Sequence, residues 1–434
     1  MQLLKIVTVR KVELLAAIVG LAVFANGQSG QIHAIYDSPQ GYLAGVTRDS
    51  SGNLYAGNFQ GGAYYGGSII ELSLGTDGQW DATTLYSFSG SPDGAQVFGN
   101  LVFDAEGNVY GTTMYGGTGS CKDAYNDVGC GTVFELSPSG TGQWTETVLY
   151  SFQDDGDGRY PYAGVALDPS GNVYGTTMNG GAKANLTCFY GCGTVYKLSP
   201  AGNGQWTENV LHAFGLSVTD GQSPLSSLVL DANGSIYGTT EYGGVYPCAY
   251  GDVQVGCGTI FRLTPTSNGP WDESVFSFNY ADGAGPIAGL TFDSAGNLYG
   301  TASYGGNNAE CPGCGLIFKL IPGTGEHWAI STIHEFTGYN GPDGAVPYGG
   351  ITIDASGNLY GTTEFGGSRQ AGTLFKMLPR GNGGWEKATL SMNGVWTGYF
   401  VRSAPVVDPS TGIIYGSTYA GGTGARGVIY KVAP

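Results

Sequence analysis

The amino-acid sequence predicts an all-β fold, a seven-bladed β-propeller of four-stranded antiparallel blades, and three observations carry that expectation. The first is a motif, Asp-x-x-Gly-Asn-(Leu/Val)-Tyr-Gly-Thr-Thr-x-x-Gly-Gly, that recurs seven times, starting at Asp49, Asp104, Asp168, Asp231, Asp293, Asp354 and Asp408. Its tyrosines (Tyr55, Tyr110, Tyr174, Tyr237, Tyr299, Tyr360 and Tyr415) are spaced by 55, 64, 63, 62, 61 and 55 residues, the period of one supersecondary unit repeated. The second is composition: 78 glycines and 29 tyrosines among 434 residues, with only 12% charged, suit short strands and tight turns and suit long helices badly. The third lies at the chain ends. The last unit carries three strands (404–407, 413–418 and 427–432) and no fourth, while Ile32-His33-Ala34-Ile35-Tyr36 resembles the fourth strand Val148-Leu149-Tyr150-Ser151-Phe152. An N-terminal strand that completes the last blade closes the ring and removes exposed edges, which an open solenoid would instead cover with capping units.

Within one unit, residues 99–152, the elements follow from local chemistry. Leu101-Val102-Phe103 is a short apolar strand, and Asp104-Ala105-Glu106-Gly107 reads as a type I turn ending on a left-handed glycine. Residues 108–113 form the second strand, and a long loop with Tyr115, Gly116, Gly117 and a cysteine pair follows. Residues 131–136 form the third strand, 138–142 turn the chain, and 144–152 form the fourth. A second strand inside a blade meets neighbouring sheets on both faces, so its Tyr and its Leu or Val are expected to be buried. The charge in the third strand changes sign from unit to unit (Glu71, Glu135, Lys197, Arg262, Lys319) and is read as solvated. Trp80, Trp144, Trp206, Trp271, Trp328 and Trp385 precede each fourth strand and are read as packing residues.

Residues 1–27 read as a signal peptide: Lys5, Arg10 and Lys11 precede an apolar run from Leu14 to Phe24, and Ala25-Asn26-Gly27 is a small-x-small cleavage pattern. That run is short for a membrane span, so the expectation is one propeller domain over 28–434 with no span after cleavage. The net charge of −17 becomes about −19 on cleavage, which argues against nucleic acid or anionic lipid as partner. The expected location is secreted, periplasmic or at the cell surface. All eight cysteines fall as pairs in four consecutive units, Cys121 with Cys130, Cys188 with Cys192, Cys248 with Cys257 and Cys311 with Cys314. In an exported chain these read as local disulfides across long loops; a zinc reading of Cys311-Pro-Gly-Cys314 would need two further ligands.

The repeated Gly-Asn-Leu-Tyr-Gly-Thr-Thr cores, Gly-Gly loops and Gly-Thr-Val-Phe-x-Leu-Ser-Pro strands resemble the GloVer-type tandem repeat of bacterial exported proteins, over nearly the whole mature chain. The resemblance implies the repeat count and export. It carries over no catalytic residue.

Function is expected on the face that holds two long loop types, those joining second to third strands and those joining one blade to the next. These loops concentrate Tyr64, Tyr65, Tyr115, Tyr125, Phe189, Tyr190, Tyr242, Tyr246, Tyr250 and Tyr304. The blade-to-blade loops repeat Asp-Gly at Asp93, Asp157, Asp220, Asp282 and Asp343. Five such aspartates at a channel mouth would form a cation- or polyol-binding rim, with calcium the cation it would take; five equivalent Asp-Gly turns explain them as well. The sixth such loop lacks the Asp and carries Trp396, Tyr399, Phe400 and Arg402, which makes Trp396 and Tyr399 the further ligand-facing candidates. The four histidines, His33, His212, His327 and His334, are placed away from this face, and no nucleophile elbow or His-rich metal set is present, so no catalytic residue is assigned. The leading expectation is an exported, non-enzymatic propeller binding a polysaccharide or a cell-surface protein, with no required cofactor. The alternatives are a carbohydrate-active hydrolase or lyase using rim aspartates, and a structural envelope or matrix protein. The sequence carries no signal for oligomeric state.

Overall fold

The computed structural model describes residues 23–24, 28–122, 128–140, 142–181, 188–217, 219–250, 253–267, 269–321, 323 and 328–434. The expected leader lies outside the described residues, apart from Val23–Phe24, which pairs with Gln28–Ser29.

Among the described residues there is no helix, and seven four-stranded antiparallel sheets follow one another in chain order. Blade one is built from Leu43–Arg48, Leu54–Asn58, Ser68–Leu74 and Trp80–Ser87, and blade two from Val102–Phe103, Val109–Thr113, Thr132–Pro138 and Trp144–Ser151. Blade seven takes Val406–Val407, Ile414–Ser417 and Val428–Val432 from the C-terminus and Ile32–Asp37 from the N-terminus, so the ring closes as expected, with Ile32 opposite Val432 and Asp37 opposite Val428.

The repeated motif is mostly turn chemistry and packing. In blade two, Asp104 Oδ1 accepts from the backbone N–H groups of Glu106 (3.0 Å) and Asn108 (2.8 Å), while Oδ2 accepts from Asn108 Nδ2 (2.7 Å) and the Tyr110 hydroxyl (3.1 Å). Asp168, Asp293 and Asp354 repeat this set in blades three, five and six. One carboxylate thus satisfies the turn and anchors the next strand's tyrosine, and Gly107 supplies the left-handed conformation (φ 88°) that closes it. All five residues of the second strand are buried in blades one to six. In blades two to seven the glycine after the motif tyrosine leaves room for a ring of the third strand: a Cβ on Gly111 would stand 2.6 Å from Phe134 Cζ.

The threonine two residues after the motif tyrosine stitches each of blades two to six to its neighbour. Thr112 donates to the Ala163 carbonyl (2.7 Å), Thr176 to Ser226 (3.2 Å), Thr239 to Ala288 (3.1 Å), Thr301 to Gly349 (3.0 Å) and Thr362 to Ser403 (3.0 Å). Ser417 donates to the Ala44 carbonyl (2.7 Å) and carries the series from blade seven to blade one, while between blades one and two Thr47 donates to the Leu101 carbonyl (2.7 Å). Each such bond contributes about 1 kcal/mol, and its larger effect is to fix where one blade sits on the next. The tryptophans pack edge-on against motif tyrosines of the preceding blade, Trp144 on Tyr55 (6.4 Å), Trp80 on Tyr415 (5.9 Å) and Trp385 on Tyr299 (6.4 Å). The alternating third-strand charge is half-buried rather than solvated, because it reaches the same tyrosine: Glu71 accepts from the Tyr55 hydroxyl (2.9 Å), and Lys197 and Lys319 lie 5.5 Å from the Tyr174 and Tyr299 rings.

All four disulfides form within single loops: Cys121–Cys130, Cys188–Cys192, Cys248–Cys257 and Cys311–Cys314. The carbonyl of each second cysteine accepts from the loop that leads into the following blade, at Tyr160, Ser223, Gly285 and Val346 respectively. The crosslinks therefore brace blade-to-blade joints as well as loops, and they indicate an oxidising environment. No helix of the described residues is long and apolar enough to cross a membrane.

Candidate functional site

The long loops share one face, and they are tied together there: Ala95 pairs with Tyr115, Arg159 with Asn179, Ala284 with Tyr304, Ala345 with Phe365 and Tyr399 with Ala420. Each pair joins a blade-to-blade loop to the second-to-third-strand loop of the blade it enters. Below this face a cavity of about 260 Å³ lies at the ring centre, walled by the innermost strands. Its wall is largely backbone and small side chains, Gly45, Gly99, Gly164, Gly289 and Gly350 among them.

Its mouth is aromatic. Tyr419 stacks on Tyr42 (4.6 Å, interplanar 5°), Tyr42 on Phe59 (5.5 Å), Phe59 on Phe98 (4.7 Å) and Phe98 on Tyr162 (4.9 Å). The Tyr162 and Tyr348 hydroxyls face each other across the mouth, bringing blade three towards blade six. The Arg402 guanidinium then lies over both Tyr348 (5.2 Å) and Tyr419 (4.7 Å), so the belt returns to its start. All six rings are half-buried, and all line the cavity together with Arg402. On the remaining arc Leu225 and Ile287 hold the places that Phe98, Tyr162 and Tyr348 hold elsewhere, three residues before Leu228 and Leu290 of the innermost strands.

Arg402 is held by Glu364, whose Oε1 accepts from both Nε (2.9 Å) and Nη2 (2.6 Å). Burial opposes the Arg402 charge, but the Glu364 bond outweighs it and holds the guanidinium above its usual range. Glu241 is also pushed up, by burial, and its carboxyl bears on Tyr162 and Tyr348. Burial likewise raises the Tyr162 and Tyr348 hydroxyls, so both stay protonated and can donate to a ligand. The site therefore offers aromatic faces, neutral hydroxyls and one paired cation, in a basin with few other charges.

The five loop aspartates do not line this cavity. Each turns back into its own joint. Asp93 accepts from the Tyr86 hydroxyl (2.9 Å) and the Ser89 backbone, and Asp157 from the Tyr150 hydroxyl (2.9 Å) and the backbone of Gln153 and Asp154. Asp220 accepts from Leu216 and Gly221 beside His212, Asp282 caps Asn279, and Asp343 bonds His334, Lys387 and the Thr337 backbone. The placement of the histidines away from the loop face is corrected accordingly. His212 and His334 end their fourth strands against these loop aspartates because that strand runs up to the elaborated face. His33 lies in the closing strand, and His327 is outside the described residues.

Trp396 stands out from its loop, 65% exposed, while Tyr399 is half-buried against the core of blades six and seven and Phe400 (4.9 Å). Tyr64, Tyr65, Phe189, Tyr190, Tyr246 and Tyr304 are exposed on the same face; residue 125 and the Tyr250 side chain lie outside the described residues. The belt residues Tyr42, Phe98, Tyr162 and Tyr348 were not singled out from the sequence. Their signal was present in several repeats: an aromatic just before the small residues that lead into an innermost strand, as in Phe98-Gly99, Tyr162-Ala163-Gly164 and Tyr348-Gly349-Gly350.

The architecture defines the class: a disulfide-braced, seven-bladed β-propeller with an aromatic funnel on its loop face. The family follows from comparison. The family model described as the Gloeobacter/Verrucomicrobia repeat matches residues 24–248, 125–342 and 311–434, and the chain belongs to that family. No curated protein matches it.

Proposed function

We propose that this propeller is an exported, non-catalytic binding protein that takes a segment of polysaccharide at the aromatic funnel of its loop face. The observation that carries the reading is the closed belt of Tyr42, Phe59, Phe98, Tyr162, Tyr348 and Tyr419 with Arg402 around a cavity of about 260 Å³. A sugar ring presents apolar C–H faces that stack on aromatic rings and hydroxyls that accept from Tyr and Arg donors, and a concave, mostly apolar site with few fixed polar groups supplies both. The acidic mature chain and the four disulfides support a role outside the cytoplasm. In this reading Trp396 is an outer contact and the loop aspartates hold the scaffold.

The test is binding of the mature protein to a broad polysaccharide and glycan array, in calcium and in EDTA. Selective binding that persists in EDTA is expected, and Arg402→Ala and Tyr348→Ala should each weaken it about tenfold, roughly 1.4 kcal/mol. Loss of binding with Trp396→Ala alone would move the site to the loop between blades six and seven. Binding abolished by EDTA would restore the aspartate rim as the site, and no glycan binding at all would end the polysaccharide reading.

A further inference from the structure

Away from the funnel, the first five joints between consecutive blades repeat one small arrangement. It combines the residue near the end of a fourth strand, the aspartate of the following loop, and the residue two after the tryptophan of the next blade. In the first two joints these are Tyr86, Asp93 and Glu146, then Tyr150, Asp157 and Glu208. The tyrosine hydroxyl donates to the aspartate, and burial, with the aspartate beside it, raises each facing glutamate to about 7. Below about pH 7 such a glutamate holds a proton in place of a partner. In the fourth joint the chemistry is apolar, with Phe276 and Ile330 in one core cluster.

The fifth joint contains a cation. Lys387 Nζ donates to Asp343 Oδ1 and to the Asp343 carbonyl (2.8 Å), and lies 3.2 Å from His334 Nε2. The third joint repeats the histidine and the aspartate, as His212 and Asp220, but has Glu273 where the lysine stands. His212 Nε2 is 3.3 Å from Asp220 Oδ1 and 3.4 Å from Glu273 Oε1, and these three donor atoms lie within 4.8 Å of one another. The Asp220 side chain is 4% exposed, and Glu273 Oε1 is buried with no hydrogen-bond donor. A single Nε2–H would have to be shared between two carboxylate oxygens. The joint thus brings an imidazole nitrogen and two carboxylates together, with Glu273 in the place that Lys387 holds in its counterpart.

We propose that the joint between blades three and four is a zinc site, in which His212 and Asp220 of blade three and Glu273 of blade four supply three ligands and water the fourth. Imidazole nitrogen with two carboxylates suits zinc, whereas calcium would require six or more oxygens. Ligands at zinc distances stand roughly 3.3–3.5 Å apart in a tetrahedron, the spacing observed from His212 to each acid. Because the ligands come from two blades, the ion clamps them together, as Lys387 does between blades five and six. The clamp stands independently of the polysaccharide reading.

The experiment is titration of EDTA-treated, dialysed mature protein with ZnCl2, followed by calorimetry, with metal content read by mass spectrometry. One zinc per chain is expected, with a dissociation constant on the order of 1 µM or tighter, together with a raised melting temperature. Glu273→Lys copies the fifth joint and His212→Tyr copies the first two, so both variants should fold and both should lose the tight site. Their native circular dichroism is the control. Zinc binding unchanged in both variants, or no tight binding by the parent protein, overturns the proposal; an imidazolium NMR signature for His212 would then mark the joint as held by a proton.

Discussion

The joint between blades two and three and the joint between blades five and six occupy equivalent places in the ring and are held by opposite charge arrangements. At the first, Tyr150 donates to Asp157 while Glu208 faces them with a raised carboxyl pKa. At the second, His334 and Lys387 surround Asp343; burial opposes the Asp343 charge, but the two bases outweigh it and hold the carboxyl far below its usual range. Burial also draws the Lys387 ammonium down to about 8 despite its acidic partner. Below about pH 7 the first joint is neutralised by a retained proton, and the second by a built-in cation. A repeat can therefore keep its backbone constant while one side chain per blade decides how the seam responds to pH and ions.

The largest way to break this contrast is Lys387→Met, which leaves a mostly buried carboxylate without its ammonium. Losing one partner of such a pair costs about 3 kcal/mol. Urea unfolding of Lys387→Met beside Glu208→Gln should show that loss in the first variant and a neutral or slightly stabilising change in the second at pH 7. Equal effects would mean that the two joints are held alike. Next come the disulfides that brace the same two joints. Replacing Cys121 and Cys130 by Ala opens a crosslink of sequence separation 9 and should cost about 2.5 kcal/mol, against about 1.5 kcal/mol for Cys311 and Cys314, whose separation is 3. Denaturation under non-reducing conditions reads both, and the reverse order would show that loop closure is not what the crosslinks contribute.

The smallest effect concerns pH. Glu146 and Glu208 keep their protons in the folded state up to about 7, whereas the unfolded chain loses them near the ordinary value of 4.5, so their stabilising contribution fades as pH rises across that window. Asp343 behaves oppositely: its contribution is present above about 3.8, the ordinary carboxyl value, and is lost as pH falls further. Melting temperature followed from pH 4.5 to 7 should therefore fall less in the double variant Glu146→Gln, Glu208→Gln than in the parent. Parallel pH curves for the two proteins would remove the retained-proton description.

Much of the fold was legible because its determinants are local and repeated. The Asp-x-x-Gly-Asn turn, the buried second strand and the paired cysteines each act within a few tens of residues, and seven copies average out the irregular ones. The closing strand was legible because an incomplete blade at one end matched a surplus strand at the other. The site was less so. The loop aspartates carry the same Asp-Gly spelling whether they face a channel or their own blade, and the neighbouring Tyr86, Tyr150, His212 or His334 that turns them inward is seven to nine residues away along the chain. The histidines were misplaced for the same reason, since the direction of the fourth strand brings its end to the loop face.

The sequence by itself determined the repeat, the blade count, the ring closure and the cysteine pairing, because each rests on turn chemistry, strand alternation or proximity along the chain. Only the tertiary structure decided which side chains meet across blades. Tyr162 and Tyr348 come from opposite sides of the ring, Tyr419 and Tyr42 from opposite ends of the chain, and His212 and Glu273 from neighbouring sheets. Those meetings depend on how far each blade is rotated about the axis, a quantity set by packing of whole sheets and stitched by the Thr-to-carbonyl bonds, and no single repeat contains it.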